Sequence, residues 1–213
     1  TAMVIAAILI GMIFVSGVNW RIIFTLILTG ISAVGTLAYI YLYHTKLLLS
    51  FLGEYQINRI HAWVDPFNFS EGYQLKNSIL AIGSGMDSGR GFNNGVMYVP
   101  EAHSDFIFTV IGEEGGFIVA SMVITLYFIM IYKIIAIATL NKGQYERYIC
   151  IGIVSMLTFH IFENIGMVMG LVPITGIPLP LLSYGGSSVL GTLLALSIVL
   201  NISAKTKTYM FSK

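Results

Sequence analysis

Long apolar runs divided by brief polar breaks constrain this chain more than any other feature. Five runs stand out, at residues 1–18, 22–43, 115–138, 149–170 and 186–204. A helix that crosses a bilayer needs about 20 mostly apolar residues. In lipid a helix also satisfies its own backbone hydrogen bonds, which no open strand can do. The runs therefore predict an all-α polytopic membrane protein with five transmembrane helices in one membrane domain, 1–213. Composition agrees: 56% of residues are hydrophobic and 10% charged, against about 25% charged in soluble domains. The single cysteine, Cys150, excludes an internal disulfide and a cysteine-based zinc site. A net charge of +1 offers no basic stripe for nucleic acid. The run at 1–18 lacks the basic head and small-residue cleavage site of a signal peptide. It is short for a span, as expected of a chain that begins inside one.

Lys and Arg near span ends mark the cytoplasmic side. Arg21, Lys142, Arg147, Lys205, Lys207 and Lys213 all fall on one side when the spans alternate, and Lys133 can snorkel to that side. The chain end is thus expected in the cytoplasm, with segment 44–112 and loop 171–185 outside. The long segment carries ten of the 21 charged residues and three of the four histidines. Unstructured loops of that length are uncommon unless functional. Short amphipathic helices at the membrane surface are expected there, for example over 74–82.

Four features can carry chemistry. First, Glu101, His103 and Asp105 lie within five residues just before apolar sequence. An ionisable group at such a boundary is a functional candidate, and a partly desolvated carboxylate can serve as general base toward a hydroxyl. The structural alternative is that Asp105 caps a helix starting near Phe106. Second, the glycine run 83–91 ends in Gly-Arg-Gly and can set amides and a cation against phosphate, or be a plain loop. Arg59 and Lys76 are further external cations. Third, segment 170–188 places three prolines in uncharged apolar sequence. Non-helical backbone at membrane depth survives only inside protein or beside a cavity, so a re-entrant loop is expected, with a tight external turn as the alternative. Fourth, His160, Glu163 and Asn164 share one face of a span, for interhelical hydrogen bonds or a proton relay. Glu113 and Glu114, beside Gly115 and Gly116, are expected to anchor a helix start.

Together these motifs resemble a known family. Pro100-Glu-Ala-His-Ser-Asp-Phe-Ile-Phe, then Ile111-Gly-Glu-Glu-Gly-Gly-Phe, resembles the main external motif of the SEDS family (shape, elongation, division and sporulation). Asn164-Ile-Gly-Met and Pro173-Ile-Thr-Gly-Ile-Pro-Leu-Pro-Leu-Leu-Ser-Tyr-Gly-Gly-Ser-Ser resemble its C-terminal signature. Tyr55-Gln-Ile-Asn-Arg-Ile, Asp65-Pro66, Gly72-Tyr-Gln, Ile82-Gly-Ser-Gly and Gly89-Arg-Gly match in order. Members have about ten spans, so the chain is similar to the C-terminal half. Two departures are conservative: Ser104 stands where Thr is usual, and Arg90 where Lys is common.

The resemblance implies a peptidoglycan glycosyltransferase that polymerises lipid II with a class B penicillin-binding protein, within a cell-wall elongation or division complex. The wording of segments 83–91 and 173–188 favours the RodA-type over the FtsW-type. The family's catalytic aspartate falls on Asp105. Arg59, Lys76, Arg90, Glu101, His103, Ser183, Gly185 and Gly186 are the candidate substrate-binding residues. A divalent cation (Mg or Mn) is the expected cofactor, with Asp105 and Glu101 as candidate ligands. A lipid II transporter using His160, Glu163 and the proline-broken loop, and a non-catalytic scaffold, are the competing readings.

Overall fold

The computed structural model describes residues 2–43, 53–141 and 143–211. His44, Lys46, Lys142 and Lys213 lie outside them. All regular elements among the described residues are helical: α1 Ala2–Val15, α2 Trp20–Tyr43, α3 Glu54–Val64, a 3-10 turn Ser70–Gly72, α4 Tyr73–Ser84, α5 Ile107–Leu140, α6 Gln144–Val168 and α7 Gly186–Phe211.

Four helices are long and apolar enough to cross a membrane: α2, α5, α6 and α7. Their outward faces carry large apolar side chains, among them Phe117, Phe128, Leu194 and Leu200, as a lipid-facing surface requires. The fifth run forms a helix of 14 residues, about 21 Å at 1.5 Å per residue, shorter than the four. Helix α1 nevertheless packs closely on α6. Gly11 faces Ser155, and Gly152 faces Met12. Small residues let two helix backbones approach where lipid supplies no hydrophobic driving force.

The core lies where α4, α5, α6 and α7 meet. Leu75 from α4, Tyr127 and Ile134 from α5, Leu157 and Met167 from α6, and Val199 from α7 share one buried cluster. The amphipathic helix expected over 74–82 is α4, which buries Leu75, Ser78 and Ala81 along one face. Ser78 ties three helices together. Its Oγ is 2.6 Å from Thr109 Oγ1 on α5 and donates to the Val168 carbonyl of α6 at 2.8 Å.

Helix α5 is broken at Gly116 (φ 65°, ψ −167°). An unbroken helix would bond the N–H groups of Phe117 and Ile118 to the carbonyls of Glu113 and Glu114. Instead Phe117 N–H donates to Met86 O (2.8 Å) and Ile118 N–H to Asp87 O (3.1 Å). The vacated carbonyls accept from Arg90 N–H and Gly91 N–H, both at 3.0 Å. The glycine run thus replaces two lost helix bonds with four. It must come very close to do so: a Cβ on Gly116 would sit 2.3 Å from Gly89 N, and one on Gly89 2.0 Å from Glu114 O.

Two sequence expectations change here. The amides of Gly89, Arg90 and Gly91 already donate to protein carbonyls, so they do not form a free phosphate cradle. Glu113 does not open a helix, because α5 is already helical from Ile107. Its buried carboxylate accepts the N–H groups of Val96 (2.8 Å) and Met97 (3.1 Å) through Oε1 and holds that loop down.

Candidate functional site

The segment between α2 and α5 and the proline-rich loop meet at one end of the helices. The three prolines leave residues 171–185 without regular structure apart from a turn near 180–183. Four elements hold this loop in place. From α3, Arg59 Nη1 donates to Ile174 O at 2.6 Å and Trp63 Nε1 to Gly170 O at 2.9 Å. From α5, Tyr127 OH donates to Pro180 O. From α6, Asn164 Nδ2 donates to Ile177 O at 2.7 Å. From the 101–106 turn, His103 O accepts Tyr184 N–H at 2.9 Å and Ser104 O accepts Ser183 Oγ at 2.7 Å.

Asp105 sits where that turn faces the loop. It is not a helix cap, because Phe106 is the residue preceding α5 and no side chain caps it. Asp105 Oδ1 accepts Ser104 Oγ–H at 3.1 Å. Asp105 Oδ2 points at Gly176, where a Cβ would lie 3.0 Å away. Gly176 has φ +69°, so both its conformation and its missing side chain leave room for the carboxylate. Two non-glycine residues of these segments also adopt left-handed backbone, Glu101 (φ 56°) in the turn and Leu181 (φ 67°) in the loop. Such conformations gather at sites whose surroundings hold them in place. Glu101 uses its own to close the turn, its carbonyl accepting the N–H groups of Ser104 and Phe106.

The other candidates divide. Glu101 and His103 stand at the same turn, His103 Nε2 4.0 Å from Glu101 Oε2, with both side chains well exposed. The His103 ring meets Tyr184 edge-on, centroids 5.8 Å apart. Arg59 braces the loop from below. Ser183 is buried, and its hydroxyl both donates to Ser104 O and accepts Leu179 N–H (2.6 Å); it joins the loop to the turn that carries Asp105. Gly185 and exposed Gly186 lead into α7. Lys76 and Arg90 make their contacts elsewhere: Lys76 Nζ lies 5.5 Å over the Phe67 ring, and Arg90 Nε donates to Ser84 Oγ at 3.0 Å.

Among the described residues no three His, Cys, Asp or Glu side chains gather as a metal site. Glu101 is exposed and Asp105 half-buried, and two carboxylates suit only a cation whose other ligands come from substrate or water.

Sequence reasoning missed Asn164 as a link between the two loops. Its Nδ2 also donates to Asp105 O at 2.8 Å. The face shared with Glu163 was legible, but the partners were not.

Known proteins resemble this chain. A family profile described as "Cell cycle protein" (FtsW, RodA, SpoVE) matches residues 1–208. The probable peptidoglycan glycosyltransferase FtsW of Aeromonas salmonicida (strain A449) is 37% identical over 199 residues, 91% of this chain and 48% of that protein. Stage V sporulation protein E of Bacillus subtilis (strain 168) is 38% identical over 154 residues, 70% of this chain and 42% of that protein. A solved structure described as "Structural coordination of polymerization and crosslinking by a peptidoglycan synthase complex" aligns with all of this chain and 56% of its own, with TM-score 0.73 and 26% identity. The chain spans about half the length of the curated relatives it matches. On the extent of these matches, it belongs to the FtsW, RodA and SpoVE family of cell-cycle proteins.

Proposed function

We propose that this chain belongs to a peptidoglycan glycosyltransferase that polymerises lipid II, with Asp105 as general base. One observation supports this above the others: a half-buried carboxylate just before a long apolar helix, on a turn tied by hydrogen bonds to the proline-rich loop, with its Oδ2 set against Gly176, which has no side chain to crowd it. The names of the relatives point the same way.

The chemistry needs one base. Asp105 takes the proton of the acceptor sugar's 4-hydroxyl as that oxygen attacks the anomeric carbon of the donor. The bond from that carbon to the diphosphate oxygen breaks, and its electron pair leaves on the polyprenyl diphosphate. The leaving group is already anionic and needs no separate protein acid. A single displacement inverts the anomeric centre and calls for no second nucleophilic carboxylate. Of the candidate cations, Arg59 stands at the proline-rich loop and is the one proposed to meet the diphosphate; Lys76 and Arg90 make their contacts elsewhere. A divalent cation, Mg²⁺ or Mn²⁺, when bound, would offset diphosphate charge, with Asp105 or Glu101 among its ligands.

The same reading sets the membrane topology. Helix α1 is the fifth span, the proline-rich loop is re-entrant, and the C-terminus is cytoplasmic, as the Lys and Arg placement favours. Both lipid-linked substrates then reach Asp105 sideways from the outer leaflet. The crosslinking partner is a class B penicillin-binding protein, in keeping with the synthase complex whose structure aligns with the chain. An elongation role of the RodA type rests on the wording of segments 83–91 and 173–188, while the relatives named above carry FtsW and sporulation names.

The test is glycan-strand formation from purified lipid II by the full-length protein with its partner. Asp105→Asn keeps the shape and removes the base, and is expected to make no strands. Full polymerisation by that variant rejects the assignment.

A further inference from the structure

Asn164 presents a buried side chain whose two ends are treated very differently. It is fully buried on α6. Its NH₂ group gives one hydrogen to Asp105 O at 2.8 Å and the other to Ile177 O at 2.7 Å. Its Oδ1 is buried without a hydrogen-bond partner. The amide orientation follows from its neighbours, because both contacts of Nδ2 are carbonyl oxygens. Turning the amide over would set oxygen against oxygen twice. A buried polar atom left unpaired is costly, and an apolar residue of similar size would avoid that cost. What only an amide supplies here is two donors to two separate loops.

Both recipients depend on it. The Asp105 carbonyl lies outside the α5 ladder, since the N–H that could reach back to it, that of Thr109, donates to Phe106 O. Ile177 sits between Gly176, which faces the Asp105 carboxylate, and Pro178, which has no N–H to give. One side chain on a rigid helix therefore fixes the backbone that carries the carboxylate and the backbone that faces it.

We infer that Asn164 is the positioning residue of the site: it sets the distance between the Asp105 carboxylate and the Gly176 wall, and so the alignment of the base with the acceptor hydroxyl. This rests on the assignment of Asp105 as base. It predicts an effect on turnover rather than on substrate capture, because a misplaced base loses transition-state contacts while substrate still binds.

The experiment uses full-length protein with its penicillin-binding partner and purified lipid II. Asn164→Asp keeps the volume and removes the paired donors. A fall in kcat of about 100-fold is expected, the scale of a 1 Å misplacement, with KM within about threefold. Asn164→Gln keeps both donors one methylene out of place, and an intermediate kcat is expected. Ser78→Ala, which removes an equally buried hydroxyl that ties helices together away from the site, is expected to lose thermal stability with kcat unchanged. Wild-type kcat in either folded Asn164 variant, or a kcat loss that merely follows the melting temperature as in Ser78→Ala, overturns the inference. An active Asp105→Asn enzyme instead overturns the base assignment beneath it, so the two failures read differently.

Discussion

The N–H of Arg90 donates to the carbonyl of Glu113 at 3.0 Å, a carbonyl that an unbroken α5 would have given to Phe117. A loop residue has taken a helix residue's place. The break at Gly116 is therefore a join between two segments of the chain, and its strength can be measured.

Gly116→Ala should be severely destabilising. The backbone there lies in a region that only glycine populates freely, which costs other residues about 1–3 kcal/mol, and the new methyl would meet Gly89 N at 2.3 Å. A clear fall in melting temperature is expected in detergent or nanodiscs. Gly191→Ala on α7, where a Cβ meets nothing within 4 Å, should leave it unchanged or raised.

Glu113 holds two amides with one carboxylate oxygen. Glu113→Ala leaves the N–H groups of Val96 and Met97 without their acceptor, at a cost of about 1 kcal/mol for each bond lost, since both residues are exposed. Hydrogen exchange should show both amides losing protection. Glu113→Gln, which keeps an acceptor, should lose less.

Gly176→Ala tests the space in front of the base. Its methyl would press within 3.0 Å of Asp105 Oδ2 from a residue held at φ +69°. Strand formation from lipid II should fall by about 100-fold, while association with the penicillin-binding partner persists.

Arg59 offers a choice between two jobs. Its Nη1 bond to Ile174 O is a charge-assisted brace, of a kind that contributes about 1.5–3 kcal/mol. A brace needs the planar guanidinium fork, whereas neutralising a diphosphate needs only a positive charge. Arg59→Lys should restore activity lost in Arg59→Ala if charge is the role. Failure of Lys to rescue, together with a lowered melting temperature, assigns the residue to the loop.

Glu163, buried on α6, separates polymerase from transporter. Glu163→Gln is expected to leave strand formation within about threefold of wild type. Loss of lipid II flipping by that variant in reconstituted vesicles, with polymerisation intact, favours the transporter.

What could be read from the chain alone followed periodicity and local chemistry. The runs behind α2, α5, α6 and α7 were visible because lipid demands length and apolarity together. Helix α4 was visible because Leu75, Ser78 and Ala81 fall on one face. Asp105 stood out because a charge sits at the edge of an apolar run. Pairings between distant segments were hidden. Nothing near Gly83–Gly91 says that its partner is a helix break some 25 residues later. Nothing near Asn164 says that it reaches Asp105, 59 residues before it. Periodicity marks which face a residue occupies, and it is silent on what stands opposite. The 83–91 run stays open between an anion cradle and a plain loop for that reason, since free amides and amides already engaged by a distant helix look alike in sequence.

The exchange of backbone partners at Gly116 has one last consequence. Residues 86–91 are tied to α5 by four backbone bonds that interlock, so the departure of any one residue leaves a donor or an acceptor of the helix break without its partner. Strip and helix must come apart in one concerted event, so this latch stays closed against small fluctuations and yields only to a large one.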